Sequence, residues 1–208
     1  MKRVFFYLMV VTSLAVVSQA NATEGGYIGI QSGAAQAADA DGASSTNTWT
    51  TEYDLGFTIG AVAGYDFGHL RFEGEFAYQK NGFDRSSSLG PGLPGGSYLG
   101  GDLKTLSGLA NVIFEFENES SITPFIGAGI GIANLEVDNL RSPVFPGSTN
   151  ADDTVFAYQF IAGISIAVSE RIALDLSYRY LATEDPDLHI RSYEYASHNV
   201  LLGIRVYF

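Results

Sequence analysis

The sequence of 208 residues contains no cysteine, so no disulfide can hold the fold together. Basic residues are also scarce, because eleven Lys and Arg stand against 23 Asp and Glu, a formal charge of −12. Nucleic-acid binding needs a basic face, so this composition argues against a nucleic-acid partner. The chain lacks any internal apolar run of the ~20 residues that a membrane-spanning helix needs. Another means of holding the chain together is required, and a closed ladder of backbone hydrogen bonds would serve.

The amino terminus has the layout of a secretory signal peptide. Residues 1–3 include two cations, residues 4–17 are almost entirely apolar, and a small-residue site ends at Ala22. A transmembrane anchor is the alternative, but the apolar run falls short of the ~20 residues that span a bilayer. We therefore predict a cleaved signal peptide over residues 1–22 and one mature domain over residues 23–208. The mature domain has nine basic residues against 23 acidic ones, a formal charge of −14.

Glycine is abundant, at 24 residues, and aromatic residues reach 13%. Apolar residues alternate with polar ones in several segments, which favours strands over helices. The clearest case is residues 70–80, where Leu70, Phe72 and Phe76 share one face and Arg71 and Glu73 the other. The same pattern predicts eight strands, over residues 25–32, 56–66, 70–80, 103–116, 122–137, 154–168, 172–181 and 198–208.

The connections between these strands alternate in length. Four are long, at residues 33–53, 81–101, 138–153 and 182–196, and three are short, at residues 67–69, 117–121 and 169–171. Outer-membrane barrels have short periplasmic turns and longer extracellular loops. The alternative is a soluble periplasmic β-barrel, in which nothing requires short connections to alternate with long ones. We predict an all-β fold: a transmembrane antiparallel up-and-down β-barrel of about eight strands with four long extracellular loops.

Four segments carry a family resemblance: LRFEGEFAY (70–78), ITPFIGAGIGIA (122–133), ALDLSYRYL (173–181) and HNVLLGIRVYF (198–208). They resemble the small eight-stranded surface-antigen barrels, a group that includes the opacity proteins and the OmpA-like and OmpX-like barrels. The resemblance implies a Gram-negative outer-membrane location, no cofactor, and loops that contact a host or environmental ligand. The last strand also resembles the carboxy-terminal signal of such barrels, which implies that Tyr207 and Phe208 guide recognition by the barrel-assembly machinery.

Charged residues on the inner faces of the predicted strands form the first candidate site. A barrel of this size has an interior only wide enough for side chains. We interpret these charges as a salt-bridge and hydrogen-bond network that fills the lumen, because unpaired charges there would be costly. An ion path through a narrow porin-like channel is the alternative. The residues are Arg71, Glu73, Glu75, Glu115, Asp175, Arg179 and Arg205.

Histidines and serines offer a candidate for catalysis, since some outer-membrane barrels modify lipid A. Ser197, His198 and Glu194 could imitate a catalytic triad, while His69 and His189 lie apart from them. Neighbouring residues of a strand point to opposite faces, so Ser197 and His198 cannot readily hydrogen-bond. We therefore predict that the protein is not an enzyme.

Alternate glycines and loop carboxylates complete the candidates. Residues 127–131 (GAGIG) lie inside a strand rather than before a helix, so we interpret them as room for facing lumen side chains and not as a dinucleotide loop. The acidic loop residues match no calcium-loop spacing, and we interpret them as solvated loop tips, with binding of divalent cations or a basic ligand as the alternative. They are Asp39, Asp41, Glu52, Asp54, Glu136, Asp138, Asp152, Asp153, Glu184, Asp185 and Asp187.

Overall fold

The computed structural model describes residues 24–38, 40–43, 48–86, 97–98, 100–116, 118, 120–142, 145–184 and 195–208. The predicted signal peptide, residues 1–22, lies outside them. Within the described residues eleven strands follow one another along the chain. They are β1 (Gly25–Ala37), β2 (Ala40–Ala43), β3 (Thr48–Tyr53), β4 (Gly56–Asp66), β5 (Leu70–Ser86), β6 (Ser97–Tyr98), β7 (Gly100–Glu115), β8 (Ile122–Ser142), β9 (Phe145–Ser169), β10 (Ile172–Thr183) and β11 (Ala196–Tyr207).

Eight of these strands form a closed antiparallel barrel, as predicted. In order around the barrel they are β1, β4, β5, β7, β8, β9, β10 and β11, and β11 then pairs with β1. Closure gives every barrel strand a partner on both sides and removes the unpaired edges of an open sheet. The short strands β2, β3 and β6 stand outside this ring, because β2 pairs with β3, and both β3 and β6 pair with the far end of β5.

The two ends of the barrel differ in their connections. Residues 67–69, 116–121 and 170–171 make short connections at one end, where β1 also begins and β11 ends. We call this the turn end. The other four connections join their strands at the opposite end, the loop end. Three of them are long, but β8 and β9 are separated only by residues 143–144. The predicted sorting into short and long connections is therefore confirmed except between β8 and β9, where a long loop was predicted over residues 138–153.

The predicted boundaries of three long loops are wrong. Residues 138–153 were expected to form a loop, but β8 continues to Ser142, β9 begins at Phe145, and the two strands stay paired between these residues. Residues 33–53 and 81–101 likewise contain strand segments. Backbone pairing alone extends these strands, and it requires no alternation of apolar and polar side chains, so the sequence pattern gave no sign of it.

The outer surface of the barrel is apolar and its interior is largely polar, as the alternation predicts. Ile30, Ile130 and Leu202 are at least 60% exposed, whereas Arg71 and Arg205 are at most 2% exposed. This is the reverse of a water-soluble protein and suits a barrel with lipid outside. The part of the chain that the structure describes contains no helix long and apolar enough to cross a membrane.

Aromatic side chains gather on the outer surface near both ends. At the turn end the rings of Tyr65 and Phe67 lie 4.5 Å apart, and those of Phe114 and Phe116 lie 5.1 Å apart. Towards the loop end, the Tyr178 ring stacks against a histidine ring. Such rings mark the two levels at which hydrocarbon meets the polar headgroups.

The cost of an outward charge should depend on depth along β8. Ile130 lies well inside the apolar band and Ile122 at its turn-end margin. We expect Ile130→Arg to lower the free energy of unfolding by about 2–4 kcal/mol and Ile122→Arg by about 0–1 kcal/mol. Urea titration of the barrel folded in liposomes measures both, and equal losses would contradict the assigned band.

Candidate functional site

The lumen at the turn end holds a layer of two arginines and three carboxylates. Arg205 donates to both oxygens of Asp175, with N–O distances of 2.7 and 3.0 Å. Arg71 pairs with Glu115, and an Arg205 nitrogen lies 3.7 Å from the same Glu115 carboxylate. Bidentate and charge-assisted bonds of this kind hold buried charges at fixed positions. Each arginine of the layer is thus tied to a carboxylate on another strand.

Aromatic rings complete this turn-end layer. The Tyr207 hydroxyl donates to Asp66 at 3.0 Å and accepts a hydrogen bond from Arg205. The guanidinium carbon of Arg205 lies 5.3 Å from the centre of the Tyr27 ring, and that of Arg71 lies 5.7 Å from it. Both distances suit cation–π contacts. The rings therefore fill the space between the two guanidinium groups.

A second charged layer lies nearer the middle of the barrel, around Glu75. Its carboxylate accepts hydrogen bonds from Gln31 at 2.9 Å, Asn111 at 2.9 Å and Gln159 at 2.7 Å, and it pairs with Arg179. These donors come from β1, β7, β9 and β10, so they approach from several sides of the lumen. One carboxylate thereby links β5 to β1, β9 and β10, three strands that do not pair with β5.

Glu73 joins the same layer with weaker pairing to the arginine. Its carboxylate accepts from the Tyr27 hydroxyl at 2.9 Å and from Asn111 at 3.2 Å, and it lies 3.7 Å from Arg179. The two glutamates share Asn111 and Arg179, which are both committed to the network. This arrangement holds the carboxylates as hydrogen-bond acceptors and gives neither of them the role of a general base.

Towards the loop end the lumen side chains become neutral and then apolar. Gln79 donates to Asn81 at 2.8 Å and to the Tyr195 hydroxyl at 2.7 Å, and the Thr58 hydroxyl donates to Asn199 at 3.1 Å. A buried apolar cluster follows these polar groups. It consists of Ala37, Leu103, Leu109, Ala133, Leu135, Val137, Ala157, Leu181 and Tyr195.

The structure places all seven predicted lumen charges inside the barrel and divides them between the two layers. Arg71, Glu115, Asp175 and Arg205 lie in the turn-end layer, while the middle layer holds the rest. Sequence reasoning missed Asp66, although it continues the inward face of β4. It also missed the neutral side chains that hydrogen-bond to the glutamates, because these contacts depend on which strands face each other across the lumen. They are Tyr27, Gln31, Asn111 and Gln159.

The residues considered for a catalytic triad do not come together. Ser197 points into the lumen, where its hydroxyl donates to Gln79 at 3.3 Å. His198 points outward, and its Nδ1 lies 2.6 Å from the hydroxyl of Tyr178. The two side chains are on opposite sides of the barrel wall, as strand geometry predicts. Glu194 and His189 lie outside the described residues.

The alternate glycines of β8 make room for facing lumen side chains. A Cβ atom on Gly127 would lie 2.8 Å from Cγ1 of Ile113, and one on Gly129 would overlap Oδ1 of Asn111. Asn111 is one of the two residues that join the two glutamates. The glycines are therefore needed where the middle layer packs against β8.

The acidic loop residues are only partly described. Glu136 lies opposite Asp152 across β8 and β9, and the Asp153 carboxylate accepts a hydrogen bond from the Thr154 amide at 2.8 Å. Among the described residues no group of three or more Asp, Glu or His side chains is placed to hold a metal ion. Asp54 and Glu184 are exposed. The side chains of Asp39, Asp41, Glu52, Asp138, Asp185 and Asp187 lie outside the described set.

Comparison with known proteins agrees with this geometry. A family model for the outer membrane protein β-barrel domain matches residues 6–208. Outer membrane protein PagN of Salmonella typhimurium is 33% identical over 76 residues, 35% of this chain and 32% of PagN. The chain thus spans about a third of the length of the curated relatives it matches.

Solved structures show the same fold. Neisserial surface protein A superposes with a TM-score of 0.60 at 23% identity, covering 88% of this chain and 97% of that one. OprG of Pseudomonas aeruginosa superposes with a TM-score of 0.58 at 15% identity, covering 91% of this chain and all of OprG.

Loss of the middle-layer arginine should be costly. Arg179→Met leaves Glu73 and Glu75 without a guanidinium, and we expect the free energy of unfolding to fall by about 3–5 kcal/mol. In the double variant that combines Arg179→Met with Glu75→Gln, part of the lost free energy of unfolding should be restored. Lys80→Met is the matched control, because the Lys80–Asp102 pair at 2.9 Å is exposed, and such pairs contribute about 0–1 kcal/mol. Equal losses in Arg179→Met and Lys80→Met, measured by urea titration, would show that the buried pairs do not matter.

A methyl group at two glycines should have opposite effects. Gly129→Ala forces Asn111 to shift, and we expect the free energy of unfolding to fall by about 1–3 kcal/mol. Gly108→Ala meets no atom within 4 Å, so it should be neutral or slightly stabilising. Thermal unfolding of both variants in the same detergent tests this contrast, and a tolerated Gly129→Ala would be the contrary result.

Proposed function

Because the chain belongs to the outer membrane protein β-barrel domain family and lies in the Gram-negative outer membrane, we propose that it presents its loop end to a ligand outside the cell. The ligand is a host or environmental partner that contacts the extracellular loops. The barrel serves as a scaffold that neither catalyses a reaction nor conducts ions. The turn end faces the periplasm in this arrangement.

The filled lumen is the observation that carries this proposal. Two charged layers, a neutral polar layer and an apolar cluster follow one another from the turn end to the loop end. An ion would have to break the pairs of Arg179 or Arg205 and then enter the apolar cluster without its water. Both steps are costly, which favours a scaffold over the porin-like alternative.

Unequal strand lengths support an exposed binding surface. β8 and β9 contain 21 and 25 residues, whereas β10 and β11 contain 12 each. Strands of about 9–11 residues suffice to cross the membrane. One wall of the barrel therefore rises beyond the lipid and carries the loops away from the surface. Exposed Asp152 on this wall favours a ligand with basic groups, whereas Glu136 opposite it also stands in register with Lys104.

The proposed assembly signal involves two side chains with different surroundings. Tyr207 is buried in the lumen, while Phe208 is 83% exposed. In the folded barrel only Phe208 is accessible to another protein, so recognition of Tyr207 by the assembly machinery must precede closure of the barrel.

Planar bilayers provide the test of the scaffold. We expect the purified, refolded barrel to give no steady conductance steps, because the lumen network stays intact. A variant with Glu73, Glu75 and Arg179 all changed to Ala is the comparison, since it empties the middle layer. Regular conductance steps from the unchanged barrel would contradict the scaffold and favour the channel.

Loop replacement tests ligand contact separately. Residues 87–96, and residues 140–147 at the tip of the wall formed by β8 and β9, are each replaced by Gly-Ser segments of equal length, and replacement of residues 118–120 of a short connection serves as the control. We expect only the loop replacements to reduce attachment of barrel-displaying cells to an epithelial monolayer. Heat-modifiable gel mobility verifies that each variant still folds. Unchanged attachment in both loop variants would contradict the proposed role.

A further inference from the structure

The lipid-facing side of the barrel has an apolar groove across β4, β5 and β7, with a volume of about 1010 Å³. Large side chains border this groove, among them Ile28 on β1 and Ile130 on β8. The outward residues on its floor are small, and several of them pair in register on neighbouring strands. They are Ala61, Ala63, Gly74, Gly108 and Ala110.

Packing within the barrel does not require the two glycines of the groove. A Cβ atom on Gly108 would meet no atom of the described residues within 4 Å, and one on Gly74 would meet only the backbone oxygen of Ala63, at 3.7 Å. Gly127 and Gly129 differ, because their missing side chains make room inside the lumen. Glycine weakens the interior of a strand, and it is found where another backbone approaches closely. The groove therefore has the shape of a surface that receives a neighbouring molecule.

A ridge of large apolar side chains stands directly beside the groove, on β8 and β9. Ile130 and Ile132 of β8 are 60% and 59% exposed, and Ile132 pairs in register with Gly108 on one side and Phe156 on the other. The line between β7 and β8 thus separates the groove from the ridge. A twofold contact about an axis along this line places the ridge of each copy against the groove of the other.

A row of four outward charges crosses the same line nearer the loop end. Lys80 of β5 pairs in register with Lys104 of β7, Lys104 with Glu136 of β8, and Glu136 with Asp152 of β9. The order is two positive charges and then two negative ones, and like charges directly opposite each other on paired strands are destabilising. Lys80 also forms an ion pair with Asp102 at 2.9 Å. An alternating order would avoid the like-charged neighbours, whereas the observed order matches a second row that runs in reverse.

A second copy of the chain supplies that reversed row. In the same twofold contact β7 of one copy faces β8 of the other, so the Lys104 of each copy faces the Glu136 of the other. Lys80 and Asp152 stand opposite each other on the flanking strands, where the curved walls diverge, so they attract over a longer distance and Asp152 stays accessible to the ligand proposed above. Shape and charge both reverse across one line. A lipid chain could fill the groove, but it has no order of charges to match.

We propose that the chain forms a twofold homodimer in the membrane through β7 and β8, with β5 and β9 at the flanks. Lipid chains are as apolar as the side chains, so van der Waals packing of the ridge in the groove drives the contact, as it does between membrane helices with small residues. The charged row fixes how the copies are aligned. The dimer does not depend on the loop ligand proposed above.

Exchange of charges between copies tests the pairing. The chain has no cysteine, so Glu24→Cys at the turn end carries a donor or an acceptor dye, and energy transfer in liposomes at increasing dilution measures association. We expect Lys104→Glu alone and Glu136→Lys alone to weaken association about tenfold, because each dimer then has two like-charged contacts. A mixture of the two variants has opposite charges at both contacts between copies, although residues 104 and 136 within each chain remain like-charged. Energy transfer between the two variants should therefore return to the level of the unchanged barrel.

Filling the groove provides the second test. Gly108→Leu adds an apolar side chain that lipid accommodates but that occupies the groove, so we expect about tenfold weaker association. Ser32→Leu is the matched control, because Ser32 is also an exposed outward residue, on β1 at the far side of the barrel, and its change should leave association unaltered. Heat-modifiable mobility verifies that each variant still folds.

Four results would overturn the proposal. An unchanged barrel without energy transfer at any protein-to-lipid ratio would leave the groove to lipid chains. Failure of the mixed variants to associate would exclude the pairing of Lys104 with Glu136 between copies. Association that Gly108→Leu leaves intact, or that Ser32→Leu weakens equally, would exclude a contact at the groove.

Discussion

Pairing between the first and last barrel strands is the constraint on which the rest of the structure depends. β1 and β11 stay in register from Tyr27 with Tyr207 to Ala37 with Ser197. In lipid an unpaired backbone group costs several kcal/mol, so an open sheet with two free edges could not remain in the membrane. Closing the barrel with eight strands leaves a narrow lumen. Inward side chains must then fit this narrow space, and the charged ones must be paired there.

The lumen network is the consequence of that closure. Glu75 on β5 meets Arg179 on β10 and Gln159 on β9, strands that do not pair with β5. Such contacts brace the barrel across its interior, and Gly129 keeps the space in which Asn111 can join them. The carboxylates of Glu73 and Glu75 are thereby occupied by neighbouring donors. For this reason we place the proposed ligand contact at the loop end and not in the lumen.

Strand positions and lumen charges could be predicted because period-two alternation depends on local sequence alone. Arg71, Glu73 and Glu75 alternate with apolar residues, so their inward direction followed directly. Their ion-pair partners could not be predicted. The pairing of Arg71 with Glu115 and of Arg179 with Glu75 depends on how separate strands are placed relative to each other. Asp66 could have been found from the inward face of β4, but a turn begins just beyond it. The strand segments within residues 138–153 show no alternation of apolar and polar residues in the sequence. Strands that pair in water, beyond the lipid, do not need apolar side chains on one face.

The two sides of the loop end differ in ways that follow from strand length. On the side of β8 and β9, the strands extend beyond the lipid. The outward side chains of Asp152 and Glu136 therefore lie in water, where a charged group has no desolvation cost. On the side of β10 and β11, the strands end near the headgroups, so their outward side chains close to the loop end must suit a border and not water. Tyr180 and His198 meet that demand, because each has a polar group on a flat ring. The taller wall is therefore the side of the barrel on which we place the proposed contact with a ligand in solution, while the side of β10 and β11 ends at the lipid surface.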